Sequence, residues 1–256
     1  MLKEFMLKQP PRVDLMEVRW LEQTEADVPK ENAWFSANEI TLLNGMRFAK
    51  RRDSWRLGRW TAKRALASYL NLPAHPDVLL RIEIRPAPSG APEGFLANKP
   101  AVATISLSHG AGRAICAVAP SGVELGCDLE VIEPRGEAFL SDYFTAEEQA
   151  LVARAPATDR ARLLTLLWSG KESALKALHT GLRLDTRSVI VSPDDASFDL
   201  NGWSRLQVRY TGGRIFHGWW QQIDNIMRTV VANSPPDSPI LLKIPVYFSD
   251  RASVCT

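Results

Sequence analysis

The sequence predicts an α+β fold made of two similar lobes, and three observations lead to this prediction. Segments with helical spacing of apolar residues alternate with short runs that have the composition of strands. Pro120-Ser121-Gly122 breaks the chain near its midpoint, and each half contains helix and several strands. The 256 residues, 45% of them hydrophobic, are enough to bury a large core. We therefore expect lobes at 1–120 and 121–256, although we see no sequence repeat that establishes the division.

The first half begins with a long helical segment, in which helix formers and apolar residues recur at helical spacing until Pro73. The stretch 82–100 is rich in Pro and Gly and predicts an irregular connection. Ser108 and His109 are expected in a polar turn between two strands. The expected elements are a helix at 39–72, a short strand at 79–84, and strands at 102–107 and 113–119.

The second half repeats this mixture of helix and strand. Two helices follow an opening strand, and four short runs of strand-like composition follow the helices. A Pro-rich stretch at 234–239 then begins a tail whose packing the sequence does not predict. The expected elements are a strand at 123–131, helices at 145–154 and 158–179, and strands at 189–192, 204–210, 214–222 and 226–232.

Composition excludes several classes of protein. A net charge of +2 is far from the basic excess of a general nucleic-acid coat protein. Three cysteines without a CxxC pair indicate neither a disulfide framework nor a zinc knuckle, and they favour a reducing compartment. The N-terminal residues lack the apolar region of a secretory signal, and the apolar runs are far shorter than the ~20 residues that span a bilayer. We expect a soluble cytoplasmic monomer that binds neither membrane nor nucleic acid.

Asp128 and Glu130 are the first candidate functional pair. They stand two residues apart on a predicted strand, whose period of two places both carboxylates on one face. An isolated pair of this kind is more often an exposed strand face. Here, however, the neighbouring residues are apolar, so the acids emerge from a buried element and need a cation. Carboxylate oxygens that leave room for water and phosphate are what Mg²⁺ prefers.

Glu172 and Lys176 are the second candidate pair. They are four residues apart on the helix at 158–179 and share a face, which on its own is typical of a solvated ion pair. Gly170 costs about 1 kcal/mol relative to Ala inside a helix. Its position beside Trp168, just before the charged cluster, indicates that another element approaches closely there.

The segment 47–64 is the third candidate, with eight Lys or Arg residues and one Asp. This density is typical of a phosphate-binding surface, and the alternative is a helix with a solvated basic face. Ser108 lacks the GxSxG pattern of a hydrolase elbow, and His109 alone is more often structural than functional. A Ser-His-Asp site therefore has little support.

Together these motifs resemble the 4′-phosphopantetheinyl transferases of the larger, Sfp-type class. The resemblance rests on Gly126-x-Asp128-x-Glu130, on Trp168-Ser-x-Lys171-Glu172-Ser173-x-x-Lys176, on Ser106-Leu-Ser-His109, and on the basic helix around Arg51 and Arg59. It covers about residues 47–190. The order and spacing of the two acidic motifs are specific to this family.

The resemblance implies two pseudo-symmetric α+β lobes, with coenzyme A (CoA) in the cleft between them. It also implies transfer of phosphopantetheine from CoA to a serine of an apo acyl or peptidyl carrier protein, with Mg²⁺ as cofactor. Carried over by residue, the metal site is Asp128, Glu130 and Glu172, and the catalytic residues are Asp128, Glu172 and Lys176. The residues implied to bind CoA are Arg51, Arg59, Ser108, His109, Asp128, Lys171 and Lys176.

Two departures from the family pattern and two other functions stay open. His179 stands where the family has Gly, and both Asn98-Lys99-Pro100 and Gly90-Ala91-Pro92 resemble the family's Gly-Lys-Pro element, which leaves the role of Lys99 open. The acidic residues and lysines would also suit another Mg²⁺-dependent phosphotransferase or a nuclease. The basic helix would suit a non-enzymatic nucleic-acid-binding module, against which the near-neutral total charge argues.

Overall fold

The structure is a computed structural model that describes residues 16–199 and 201–244. The first half contains six strands and three helices in these residues. They are β1 (Arg19–Thr24), α1 (Ala37–Asn44), α2 (Ala49–Tyr69), α3 (Pro76–Leu79), β2 (Ile82–Pro86), β3 (Pro92–Leu96), β4 (Lys99–Pro100), β5 (Ala103–Gly110) and β6 (Arg113–Pro120).

The second half has a similar mixture, which confirms the mixed α+β class over the described residues. Among all the described residues, no helix combines the length and apolar content needed to cross a membrane. The elements are β7 (Leu125–Val131), α4 (Glu137–Tyr143), α5 (Ala146–Arg154), α6 (Arg160–Ala177), β8 (Val189–Phe198), β9 (Ser204–Tyr210), β10 (Ile215–Ile223), β11 (Ile226–Ala232) and β12 (Ile240–Leu241).

Three sheets organise these strands. The first half forms a three-stranded sheet in the order β2-β3-β4 and, together with β12 of the second half, a four-stranded sheet in the order β12-β1-β6-β5. The second half forms a five-stranded sheet in the order β7-β11-β10-β9-β8. All neighbouring strands are antiparallel except β12, which runs parallel to β1.

The predicted helix at 39–72 is wrong as one element, because the structure divides it into α1 and α2. Ser36 and Glu39 form a capping box that begins α1, and Gly45 caps its end. Phe48 is the N-cap of α2, which ends just before Asn71, a residue with φ of 55° that a continuing helix does not allow. The long basic helix therefore begins near Phe48.

The connection at 82–100 is more regular than predicted. The chain forms the β2–β3 hairpin within it, and α3 precedes β2 with Pro76 in its first turn, where the missing N–H costs nothing. Ser108 and His109 lie at the end of β5 rather than in a turn. The turn is limited to Ala111 and Gly112, whose φ angles of 49° and 71° are those of a two-residue hairpin loop.

Helix α6 packs closely on the five-stranded sheet because two glycines lack a side chain at the contacts. A Cβ atom on Gly126 of β7 would lie 1.8 Å from the carbonyl oxygen of Ser173, and one on Gly170 of α6 would lie 2.8 Å from Cγ1 of Val191. The close approach expected at Gly170 is thus confirmed. Thr229 Oγ1 on β11 completes the contact, at 2.7 Å from the Ser173 hydroxyl and 2.9 Å from the Ser169 hydroxyl.

The C-terminal segment returns to the first half of the molecule. Strand β12 joins the edge of the first sheet at β1, and Leu242 donates a backbone hydrogen bond of 2.8 Å to Trp20 O. The Leu242 side chain is buried in the same cluster as Leu21 and Val118. Strand β12, from the segment expected to form the lobe at 121–256, thus packs with the first half. The remainder of the tail beyond 244, including Cys255, lies outside the described residues.

Candidate functional site

The carboxylate of Asp128 lies at the centre of the site, on β7 and 3% exposed. Its Oδ1 atom accepts hydrogen bonds of 2.8 Å from Ser108 Oγ on β5 and of 2.8 Å from Lys176 Nζ on α6. Its Oδ2 atom is buried and has no hydrogen-bond partner among the described residues. A buried polar atom without a partner is costly, so Oδ2 marks a place where a ligand atom is expected.

Alternation along β5 divides the Ser-Leu-Ser-His motif between two neighbours. Ser106 Oγ accepts a hydrogen bond of 2.9 Å from Cys127 N, and Ser108 binds Asp128, so both serines face β7. His109 instead lies against α2, where its Nδ1 atom is 3.0 Å from Ser54 Oγ. The strand therefore connects the carboxylate site to the basic helix.

Glu130 shares its strand face with Asp128, as its spacing predicts. Its Oε1 atom accepts a hydrogen bond of 3.1 Å from Trp168 Nε1, and its Oε2 atom accepts one of 3.1 Å from Arg135. Burial and the nearby Asp128 charge raise the pKa of Glu130 to about 7. The carboxylates of Asp128 and Glu130 thus repel each other, and a further cation would relieve this repulsion.

Glu172 and Lys176 project from α6 toward Asp128. Burial and then the Asp128 charge raise the pKa of Glu172, which makes its carboxylate a stronger base than that of a surface glutamate. Burial alone would lower the pKa of Lys176, but the Asp128 charge and hydrogen bond outweigh it and the pKa is raised. Lys176 also donates a hydrogen bond of 3.1 Å to Cys127 O. It is therefore a firmly held ammonium ion.

Lys171 does not join this cluster, which speaks against the phosphate contact expected from the sequence. Its side chain is fully buried, and Nζ lies 2.8 Å from Glu148 Oε2 of α5. The ammonium also donates to Thr186 O, at 3.0 Å, and to Val189 O. An ammonium group has three hydrogens, and these three acceptors use all of them.

A cleft of about 590 Å³ opens beside His109 on the α2 side of the site. Arg51 lines it together with the exposed ring of Phe48. Arg59 lies farther along α2, with its guanidinium carbon 4.8 Å from the centre of the Trp55 ring. The complete lining is Phe48, Lys50, Arg51, Ser54, Trp55 and His109.

The electrostatics of His109 fit an anion site. Burial, followed by the nearby charges of Lys176 and Arg59, lowers the pKa of His109, so the ring is neutral at neutral pH. When Nδ1 accepts from Ser54, Nε2 carries the hydrogen and can donate it. The positive charges around the ring indicate that the cleft favours a negatively charged ligand.

The three carboxylates do not form a ready metal centre in this structure. Within the described ranges, no group of three or more His, Cys, Asp or Glu side chains is placed to hold a metal ion. Both oxygens of Glu130 are already occupied by Trp168 and Arg135. The partnerless Oδ2 of Asp128 and the nearby carboxylate of Glu172 nevertheless provide the hard oxygen donors that Mg²⁺ prefers.

Sequence reasoning did not identify Arg135 and Glu148, each of which holds a residue that it did identify. Arg135 lies in the connection after β7 and binds Glu130, and no sequence pattern distinguishes it from other loop arginines. Glu148 had a signal, because Thr145 and Glu148 form a capping box at the start of α5. That signal predicts the helix start but not the pairing with Lys171.

Comparison with known proteins agrees with the motifs. Residues 124–233 match the family model of the 4′-phosphopantetheinyl transferase superfamily. The matched segment runs from the start of β7 to the end of β11 and contains Asp128, Glu130, Glu172 and Lys176, and it covers less than half of the chain. No curated protein matches the sequence. The family match supports a transferase and the transfer of phosphopantetheine as the class of reaction.

Proposed function

We propose that this protein transfers the 4′-phosphopantetheine group of CoA to a serine of an apo acyl or peptidyl carrier protein and releases 3′,5′-ADP. The observation that carries the proposal is the convergence of Ser108 and Lys176 on one oxygen of buried Asp128, whose other oxygen is left for a ligand. This convergence lies beside a cationic cleft, and the strand and helix that bear Asp128 and Lys176 match the superfamily model.

We assign the protein to the larger, two-lobed Sfp-type class. About half of the chain precedes the matched segment, and the described residues of this half form helices and the greater part of two sheets. Strand β5 of this first half contacts β7, through Ser108 to Asp128 and through a hydrogen bond of 2.9 Å from Cys127 N to Ser106. The first half therefore supplies one wall of the site.

CoA would lie along this wall. Arg51, which lines the cleft, and Arg59, whose guanidinium lies against the Trp55 ring of that lining, would contact the 3′-phosphate of the adenosine. His109 and Lys176 would contact the pyrophosphate between the adenosine and the pantetheine. Neutral His109 donates from Nε2, and Lys176 adds a full positive charge beside Asp128.

Asp128, Glu172 and, once its bond with Arg135 is exchanged, Glu130 would hold Mg²⁺. When bound there, the metal would neutralise the pyrophosphate oxygens and lower the energy of the charge that develops on them. Lys176 would stabilise the same charge from its place beside Asp128, without a proton transfer.

The chemical step is a direct displacement without a covalent enzyme intermediate. We assign the acceptance of the carrier serine's proton to Glu172, since its carboxylate lies near Asp128, where the pyrophosphate would be held. The serine oxygen forms a bond to the phosphorus that bears the pantetheine arm, and the bond from that phosphorus to the oxygen of 3′,5′-ADP breaks. Lys176 stabilises the negative charge left on the departing ADP.

The proposed CoA site is tested by titration calorimetry with CoA and with dephospho-CoA, which lacks the 3′-phosphate. The wild-type protein should prefer CoA by about tenfold or more, because a charge-assisted hydrogen bond contributes roughly 1.5–3 kcal/mol. Arg51→Ala should remove most of this preference. Arg47→Ala, the same loss of charge at an exposed position outside the cleft lining, should keep it. Equal wild-type affinities for the two ligands would contradict the assignment.

A further inference from the structure

We infer that the buried pair Lys171–Glu148 is a positioning device for Glu172, and that Lys171 acts on the reaction through the helix rather than by touching a phosphate. The inference rests on the function proposed above. The Lys171 side chain is 0% exposed and that of Glu148 is 1% exposed. A lysine at this depth is inaccessible to a ligand in the cleft.

Glu148 connects three elements at one point. Its Oε2 atom pairs with Lys171 of α6 and also accepts hydrogen bonds from Thr145 N, at 3.0 Å, and Thr145 Oγ1, at 3.1 Å, at the start of α5. Its Oε1 atom accepts a hydrogen bond of 3.1 Å from Val191 N of β8. The same Val191 fills the space left by the missing side chain of Gly170. Helix α6 is thereby fixed in rotation and height on the sheet.

Glu172 depends on this anchor because it is the next residue of the helix. Consecutive helical residues are separated by 100° around the axis, so Lys171 can reach α5 and β8 while Glu172 faces Asp128. Three acceptors hold the side chain of Lys171, and this fixes the position of the adjoining Glu172 backbone. A rotation of α6 would move Glu172 and Lys176 together relative to Asp128.

The first half of the molecule contains an equivalent buried lysine–glutamate pair, but no acidic residue in the position that corresponds to Glu172. Lys63 of α2 pairs with buried Glu39 of α1 and donates to Trp34 O, at 2.9 Å, and Leu79 O, at 3.1 Å. Glu39, like Glu148, is the third residue of a helix that begins with a capping box, and its Oε1 atom accepts a hydrogen bond of 3.4 Å from Ile84 N of β2.

The sequence repeats around the two lysines. Trp60-Thr-Ala-Lys63 on α2 corresponds to Trp168-Ser-Gly-Lys171 on α6, and Phe35-Ser-Ala-Asn-Glu39 corresponds to Phe144-Thr-Ala-Glu-Glu148. Lys63 is followed by Arg64, whereas Lys171 is followed by Glu172. The Lys63–Glu39 pair occurs on a helix that has no counterpart of Glu172. We therefore interpret such a pair as an anchor for a long helix. In the second half, the anchored helix carries the site.

The test compares Lys171→Met with the double variant Lys171→Met/Glu148→Gln. The single variant leaves the Glu148 charge buried without its partner, whereas the double variant removes both charges and keeps the amide oxygen for Val191. We expect the single variant to lower kcat at least about tenfold and to weaken stabilisation by Mg²⁺ alone, measured as the shift in melting temperature. The KM for CoA should change less than about threefold. The double variant should recover most of both losses.

The matched control is Lys63→Met, which breaks the equivalent pair in the first half. All rates are measured well below each variant's melting temperature, so that loss of folded protein does not contribute. Lys63→Met should lower the melting temperature but leave the Mg²⁺ shift and kcat within about twofold of wild type.

Two results would overturn the inference. If Lys171 touches a phosphate, the double variant is as impaired as Lys171→Met and both raise the KM for CoA. If the pair only stabilises the fold, Lys63→Met and Lys171→Met change the Mg²⁺ shift and kcat equally. A wild-type protein with neither transfer activity nor stabilisation by Mg²⁺ would instead overturn the proposed function, and the inference with it.

Discussion

The ammonium group of Lys176 lies 2.8 Å from Oδ1 of Asp128 and joins α6 to β7 across the candidate site. Asp128 and the nearby Glu172 hold the pKa of this lysine above its ordinary value against the effect of burial. Lys176 is therefore charged throughout the neutral range, and it stands beside the partnerless oxygen of Asp128. A positive charge and a free carboxylate oxygen in contact are suited to a phosphate and its metal ion.

Replacement of Lys176 by Met should lower the transfer rate at saturating CoA by at least about 100-fold, the effect of removing one donor that stabilises developing negative charge. Far-UV circular dichroism should show that the protein stays folded. Lys243→Met is the matched control, because Lys243 is exposed beyond β12, at the edge of the first sheet opposite β5. A rate for Lys176→Met close to that of the control would remove Lys176 from the mechanism.

Glu130 should make the stability of the metal-free protein depend on pH. Its folded-state pKa of about 7 lies above the value of an unfolded glutamate. The stability that comes from keeping this carboxyl protonated is therefore present below the unfolded pKa and is lost as the pH rises through about 7. Mg²⁺ should raise the melting temperature more at about pH 8 than at about pH 6, because the cation binds the ionised form.

The matched variant for this experiment is Glu130→Gln, which cannot ionise. Its melting temperature without Mg²⁺ should fall less steeply between about pH 5 and about pH 8 than that of wild type. Identical pH profiles for the two proteins, measured by thermal denaturation, would show that Glu130 titrates at its ordinary pKa.

Gly126→Ala should destabilise the contact between β7 and α6. The added Cβ would lie 1.8 Å from Ser173 O, and overpacking of a core costs about 1–3 kcal/mol or more. Gly136→Ala is the matched control, since a Cβ there meets nothing within 4 Å and its φ is −70°. Urea denaturation measures the free energy of unfolding of both variants. Equal values would contradict the close approach of α6 to β7.

Leu242→Ala should destabilise the first half of the molecule although it lies near the end of the described chain. Its side chain is 6% exposed in the core that contains Leu21, and loss of a buried leucine costs about 2–5 kcal/mol. Leu241→Ala, at a neighbouring position that is 56% exposed, should change the free energy of unfolding by less than about 0.5 kcal/mol. If both variants unfold at the same urea concentration, Leu242 does not pack in the core beside Leu21.

Local spacing is sufficient to predict which candidate residues share a face. Asp128 and Glu130 share a strand face, and Glu172 and Lys176 share a helix face, because these relationships depend only on the period of one element. The sequence does not predict the surroundings of Lys171, because they depend on Glu148, which lies on another helix 23 residues earlier. No pattern within α6 distinguishes a lysine that finds such a partner from one that faces a ligand.

Element types were predicted better than their boundaries. The break between α1 and α2 depends on Gly45, which caps the end of α1, and on the extended backbone of Phe48, which precedes α2, and both are weak signals inside a continuous helical pattern. Strand β12 has two residues, which is too short for any alternation, and only its pairing with β1 defines it. The repeated lysine pairs became visible only when Glu39 and Glu148 were seen to bind them.

The most direct test is the intact mass of several apo carrier proteins after incubation with the wild-type protein, CoA and Mg²⁺. We expect at least one carrier to gain the mass of a single phosphopantetheine group. The gain should disappear with a chelator and with Asp128→Asn, which keeps the size of the side chain but removes the charge that pairs with Lys176. No gain in any carrier, or an undiminished gain with Asp128→Asn, would contradict the role assigned to this site.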